Sequence, residues 1–112
     1  MFVDRNAMSN LMDERLAHYI YLALDTNLSC SKINGLFASA GWSSRMCSWT
    51  EHEITSDFAE LIIASERPIL ISGGIDRVPE SVDKILSILD AASLNYSYEV
   101  YDENDSLLRS RP

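Results

Sequence analysis

Residues 78–94, VPESVDKILSILDAASL, carry the pattern that most limits how this chain can fold. Apolar side chains recur there at three- and four-residue spacing, and Pro79 suits a first helical turn. The flanking segments, PILISGGID (68–76) and NYSYEVY (95–101), are strand-like. The apolar stripe consists of Val82, Ile85, Leu86, Leu89 and Ala92. An amphipathic helix between two strands predicts a sheet with that helix packed on one face.

The first half of the chain is predicted to be largely helical. Residues 9–25 show helical spacing, and residues 31–41 form a shorter amphipathic segment. The stripe of the first segment is Met12, Leu16, Tyr19, Ile20 and Ala23. Two helices with a short connection predict an antiparallel helical pair.

The remaining segments supply strands. Residues 43–55 alternate like a strand, and residues 56–65 fit either a helix or a strand, with their paired isoleucines favouring a strand. The pair Gly73-Gly74 indicates a turn, and the segment DEND turns the chain so that SLLRS pairs back. We therefore predict one α+β domain over residues 1–112. It has an N-terminal helical pair, a mixed or antiparallel sheet and one long amphipathic helix packed on the sheet.

Negative charge is concentrated in the second half of the chain. The net charge is −8, yet residues 51–105 hold thirteen acidic and three basic residues, a net −10. Such a field repels phosphate backbones, which argues against nucleic acid as the direct partner. It favours encounter with a basic protein. The alternative is that the charge only maintains solubility.

No motif predicts catalysis, a metal or a cofactor. In EHE, His52 points away from its neighbours Glu51 and Glu53, so these groups do not converge as metal ligands. The segment DENDS lacks the later ligands of a calcium loop, and SGGID lacks the pattern of a phosphate-binding loop. We therefore expect a protein that is not an enzyme.

The cysteine pattern indicates a reducing compartment, and the hydropathy argues against a membrane-spanning helix. Cys30 and Cys47 form no CxxC pair, and we expect free thiols, with a disulfide between them as the open alternative. The longest apolar run, Tyr19 to Leu24, has six residues, whereas a membrane-spanning helix needs about 20. The start MFVDRNAMSN lacks the pattern of a secretory signal. A cytoplasmic protein without a membrane partner is expected.

The run ITSDFAELIIASERPILISGGID, the amphipathic helix and LNYSYEVYDENDSLL together resemble small acidic bacterial immunity proteins. That family neutralises toxins of contact-dependent growth inhibition and related systems. The resemblance implies a protein without an active site. It also implies a cognate toxin domain as partner, often a basic nuclease, whose active site or neighbouring surface is covered. The strand–loop–helix–strand layout also resembles glutaredoxin-like domains, but no cysteine lies at 78–82, where their redox residue belongs.

The candidate partner-binding residues lie mainly at the C-terminal hairpin. Exposed acids and tyrosine are typical of surfaces that bind basic proteins. The predicted residues are Glu99, Tyr101, Asp102, Glu103 and Asp105, followed by Asp57, Glu60 and Asp76. Trp42 and Trp49 fit either a binding surface or the core. The alternative function is a structural or regulatory domain that forms a homo-oligomer through the edge of the C-terminal hairpin.

Overall fold

The computed structural model describes residues 16–111. These residues form one seven-stranded sheet in which every neighbouring pair is antiparallel, with two helices. The strand order is β2-β3-β4-β5-β1-β6-β7. The elements are β1 (His18–Asp25), α1 (Cys30–Ser39), β2 (Ser43–Ser48), β3 (Glu51–Thr55), β4 (Ala59–Ala64), β5 (Ile69–Ile75), α2 (Glu80–Ala91), β6 (Asn95–Tyr101) and β7 (Leu107–Arg111).

The predicted α+β fold with an N-terminal helical pair is wrong, because residues 16–111 form a mostly-sheet fold. Residues 18–25, assigned to the first helix, form the interior strand β1 instead. Within β1, Ile20, Leu22 and Leu24 are buried while Tyr19 and Tyr21 are about half exposed, at 49% and 50%. That period of two is the pattern of a strand with one buried face. The other part of the predicted helix, residues 9–15, lies outside the described residues.

The segment that fitted either a helix or a strand contains β4, so the preference for a strand is confirmed. The glycines Gly73 and Gly74 lie inside β5 rather than in a turn, so that interpretation was wrong. Gly73 lies against the backbone of Glu60 and Leu61 in β4, where an added Cβ would lie 2.9 Å from the Leu61 Cα. A side chain therefore has no room between these two strands.

The long amphipathic helix is confirmed as α2, which packs on the sheet and connects β5 to β6. These two strands both pair antiparallel with β1, which lies between them, so they run parallel to each other. The connection is therefore a split crossover, in which β1 lies between the two parallel strands. It places the acidic C-terminal hairpin, β6–β7, on the side of β1 opposite to β4 and β5.

The core lies between one face of the sheet and the two helices. Phe37 of α1 and Leu89 of α2 belong to the same buried cluster as the inward residues of the strands. Trp42 lies between Phe37 and Phe58, with ring centroids 5.1 and 5.3 Å away in edge-to-face geometry. Such pairs add to the free energy gained by burying the rings. This aromatic cluster fixes the chain that enters β2 against the start of β4.

The opposite side of the sheet is covered by neither described helix, and we call it the open face. Its side chains alternate with the buried ones along each strand. It carries Tyr19, Tyr21 and Ala23 of β1, Glu53 of β3, Glu60 and Ile62 of β4, Leu70 and Ser72 of β5, and Ser97, Glu99 and Tyr101 of β6. No helix in residues 16–111 is long and apolar enough to span a membrane.

Candidate binding face

Three tyrosines meet on the open face where β1 pairs with β6. The register places Tyr19 opposite Tyr101 and Tyr21 opposite Glu99. The rings of Tyr19 and Tyr21 are stacked, with centroids 6.2 Å apart. The ring of Tyr101 meets that of Tyr21 edge to face at 5.8 Å. Tyr101 is far from Tyr19 and Tyr21 in the sequence, and the pairing of β6 with β1 brings it next to them.

A shallow cavity of about 370 Å³ opens among these rings, lined by Tyr19, Tyr21, Glu99, Tyr101 and Asp105. We call this cavity the tyrosine pocket. The Tyr101 hydroxyl donates a hydrogen bond of 2.9 Å to Glu99 Oε1. That bond raises the pKa of Tyr101, because ionising the phenol would place two negative charges side by side. The pocket therefore combines neutral aromatic rings with carboxylates.

The turn after β6 is held by Asp102. Its Oδ1 accepts hydrogen bonds from the backbone N–H groups of Ser106, at 3.0 Å, and Asn104, at 2.8 Å. These bonds lower the pKa of Asp102, since they stabilise the carboxylate. Asp105 adopts a left-handed backbone with φ 62° and lines the tyrosine pocket. Asp102 therefore shapes the turn that positions Asp105, and Glu103 lies exposed on the same turn.

Two of the predicted acids form ion pairs with a neighbouring arginine. Arg77 Nη2 lies 3.2 Å from Asp57 Oδ2, and Arg77 Nε lies 3.8 Å from Asp76 Oδ2. The hydrogen bond from Arg77 lowers the pKa of Asp57. Asp57, in the loop after β3, and Asp76, in the loop after β5, therefore both form ion pairs with Arg77. Neither residue lines the tyrosine pocket.

Glu60 lies beside the tyrosine pocket. It lines a second depression of about 220 Å³ with Glu53, Ile62 and Tyr19, and Tyr19 also lines the tyrosine pocket. Of the eight predicted residues, Glu99, Tyr101 and Asp105 therefore meet in one pocket, and Glu60 lies next to it. Asp102 and Glu103 belong to the adjoining turn.

Tyr19 and Tyr21 were missed as site residues, because the sequence analysis assigned this segment to a helix. The alternation in HYIYLALD was the available signal, since it places both tyrosines on the side opposite to Ile20 and Leu22. The tryptophans also differ from each other. Trp42 is buried, whereas Trp49, at the tip of the β2–β3 hairpin, is 96% exposed.

The buried pair Cys30 and His52 was also missed by the sequence analysis. Cys30, the first residue of α1, has its Sγ 3.4 Å from His52 Nδ1 and 3.6 Å from the Ile63 carbonyl oxygen. Burial raises the pKa of the Cys30 thiol, which makes it a poor nucleophile. Cys30 and Cys47 are both free thiols. Among residues 16–111, no group of three or more His, Cys, Asp or Glu side chains could hold a metal ion.

The two thiols are expected to differ strongly in reactivity. Under native conditions a thiol reagent such as iodoacetamide should modify the exposed Cys47 rapidly and leave the buried Cys30 unmodified. Unfolding in guanidinium chloride should release the second thiol. Mass spectrometry of the alkylated protein measures both stages. Rapid native modification of Cys30 in a Cys47→Ser variant would contradict the buried arrangement.

A scan of protein-family models, a search of curated proteins and a search of solved structures each return no match to this chain.

Proposed function

We propose that this protein is a non-enzymatic binding module that holds a basic protein domain against its open face. In its most concrete form it is an immunity protein that neutralises a cognate bacterial toxin domain, such as a basic nuclease, by occlusion. The observation that carries the proposal is the tyrosine pocket, where three aromatic rings lie beside the carboxylates of Glu99 and Asp105. The protein would act in the cytoplasm of the cell that it protects.

The composition of the open face supports binding to a basic surface. Tyrosine is enriched among the residues that contribute most to protein–protein affinity, because its ring buries a large area with few rotatable bonds. Carboxylates beside such rings accelerate encounter with a positive partner and disfavour an acidic one. On one side of β1, Glu60 lies across Gly74 of β5 from Tyr19; on the other side, Glu99 lies opposite Tyr21. A basic domain seated here would contact aromatic and acidic groups together.

The rigidity of this surface also favours a preformed binding site. Tyr19 and Tyr21 lie on β1, the strand whose opposite face holds Ile20 and Leu22 in the core. Side chains on a packed interior strand lose less conformational entropy on binding than those on a loop. A preformed face can block a partner's active site by covering it, which requires no catalytic residue in this protein.

The charge contribution is testable with two variants of equal net charge. Glu60→Gln with Glu99→Gln removes two negative charges from the open face. Glu66→Gln with Glu80→Gln removes two from a loop and from the first turn of α2. The partner in this experiment is the toxin domain that the immunity function requires, sought in a toxin gene beside the gene of this protein. We expect the open-face variant to associate about tenfold more slowly at roughly 0.02 M salt, with a smaller difference at 0.15 M.

The control variant should associate within about twofold of the unmodified protein, because charges away from the docking surface steer an encounter less effectively. Association rates measured by biolayer interferometry give the comparison. Equal slowing by both variants would show that only net charge matters, and would remove the open face from the proposal. No association of the unmodified protein with the toxin domain would contradict the immunity function itself.

The edges of the sheet favour a second candidate function, self-association. All six residues of β2 are exposed, and β7, the other outer strand, exposes Leu107 and Leu108. Uncovered outer strands can pair with another chain. A structural or regulatory domain that forms a homo-oligomer would use these edges. Light scattering of the isolated protein tests this second candidate, because a homo-oligomer must be stable without any partner. The immunity function instead requires a complex with the toxin domain.

A further inference from the structure

We propose that the tyrosine pocket receives one arginine side chain of the partner. This inference rests on the proposed function for the identity of the partner, but the chemistry of the pocket can be tested without it. The pocket offers the two kinds of group that a guanidinium binds, aromatic rings and carboxylates. It is also small, about 370 Å³, which suits a single side chain rather than a helix or strand.

The arrangement of the rings suits a flat cation. Tyr19 and Tyr21 are nearly parallel, at 17°, and Tyr101 stands at 78° to Tyr21. A guanidinium can therefore stack on one ring while a second ring meets it at a different angle. Arginine binds in this way more readily than lysine, because its planar group is more weakly hydrated and stacks on aromatic faces.

The carboxylates give the pocket its charge preference. Glu99 accepts a hydrogen bond from Tyr101 through Oε1, and a carboxylate can accept further bonds. Within residues 16–111, the recorded salt bridges of Arg45, Arg77 and Arg109 involve neither Glu99 nor Asp105. The pocket thus presents negative charge that no described cation of this chain neutralises.

On the covered face of the same strand, β6, two tyrosine rings contact arginines. Arg111 lies 4.3 Å from the centroid of the Tyr96 ring. Arg109 lies 5.8 Å from the Tyr98 ring, and its Nε donates a 2.9 Å hydrogen bond to the Tyr98 hydroxyl. Both arginines come from the neighbouring strand β7. On the open face, the corresponding tyrosine Tyr101 lies beside Glu99 instead, and no arginine of residues 16–111 lies over its ring.

The experiment uses a small probe instead of the partner. The amide of N-acetyl-arginine is titrated into the full chain, and the analogous citrulline compound serves as a neutral probe of nearly the same shape. Two-dimensional NMR follows the signals of residues that line the tyrosine pocket. We expect the arginine probe to shift these signals with a dissociation constant on the order of millimolar, and the citrulline probe to bind at least about tenfold more weakly.

Variants assign the effect to the pocket. Glu99→Gln removes a charge but keeps an acceptor for the Tyr101 hydroxyl, and Tyr21→Leu removes a ring; each should weaken the arginine probe by about threefold or more. Glu66→Gln, in the exposed loop between β4 and β5, is the matched control and should leave it unchanged. Equal binding of citrulline, or equal effects of Glu99→Gln and Glu66→Gln, would overturn the assignment.

The two proposals fail in distinguishable ways. Loss of arginine binding with retained association of the toxin domain overturns the pocket assignment and leaves the binding module intact. Binding of the arginine probe without association of the toxin domain supports the pocket chemistry and overturns the immunity function.

Discussion

Replacing Trp42 by alanine is expected to lower the free energy of unfolding by about 3–5 kcal/mol, the range for removing a large aromatic side chain from a core. Trp42 is 7% exposed and contacts Phe37 and Phe58 edge to face. Truncation removes both ring contacts and leaves a cavity between α1 and the start of β4. The loss is a large share of the total stability of a domain of this size.

The matched control is Trp49→Ala, which deletes the same side chain from the β2–β3 hairpin. Trp49 is 96% exposed, so we expect its removal to change the free energy of unfolding by less than about 0.5 kcal/mol. Urea denaturation followed by far-ultraviolet circular dichroism measures both variants without relying on tryptophan fluorescence. Similar destabilisation by the two substitutions would contradict the assignment of Trp42 to the core.

The second large effect is expected for Gly73→Ala. The new methyl group would lie against the Glu60 carbonyl oxygen and 2.9 Å from the Leu61 Cα, both of them backbone atoms of β4. Backbone cannot rotate away as a flexible side chain can, and Gly73 also has φ 156°, which disfavours a side chain. Strands β4 and β5 must separate, and we expect a loss of about 1–3 kcal/mol, the usual range for overpacking.

Gly35→Ala provides the control for this glycine substitution. Gly35 lies inside α1, and an added Cβ there would meet nothing within 4 Å. Alanine favours a helix over glycine, so we expect stability to rise by about 0.5–1 kcal/mol. Thermal denaturation of the two variants should give shifts of opposite sign. A Gly73→Ala variant as stable as the unmodified protein would show that β4 and β5 are not as close as described.

Trp42→Ala changes the core on the covered side of the sheet, and Gly73→Ala changes the distance between β4 and β5. The tyrosine pocket, by contrast, is on the open face. Glu99 and Asp105 are exposed, so neutralising them should alter binding with little effect on folding. This separation makes the binding experiments interpretable, because a variant of the open face that fails to bind should still be folded. The core holds β1 in place, and β1 holds two of the three tyrosines.

Local patterns alone determined several features of this protein. The helix at residues 80–91 was predictable because its apolar residues recur every three or four positions, which places them on one face of a helix. The segment at 59–64 formed the favoured strand, and the hairpin around DEND brought β7 back onto β6. The acidic composition of the second half is a property of the sequence itself, and it suggested Glu99, Tyr101 and Asp105 as site residues.

Only the tertiary structure decided the rest. The run from Tyr19 to Leu24 satisfies both a helical and a strand period, and it became β1 because β5 and β6 supply hydrogen-bonding partners on both sides. The same pairing places Tyr19 opposite Tyr101 and so creates the tyrosine pocket. The pairing of β4 with β5 excludes a side chain at Gly73. Strand pairing joins residues that are distant in the chain, so the spacing of residues within one segment cannot reveal it.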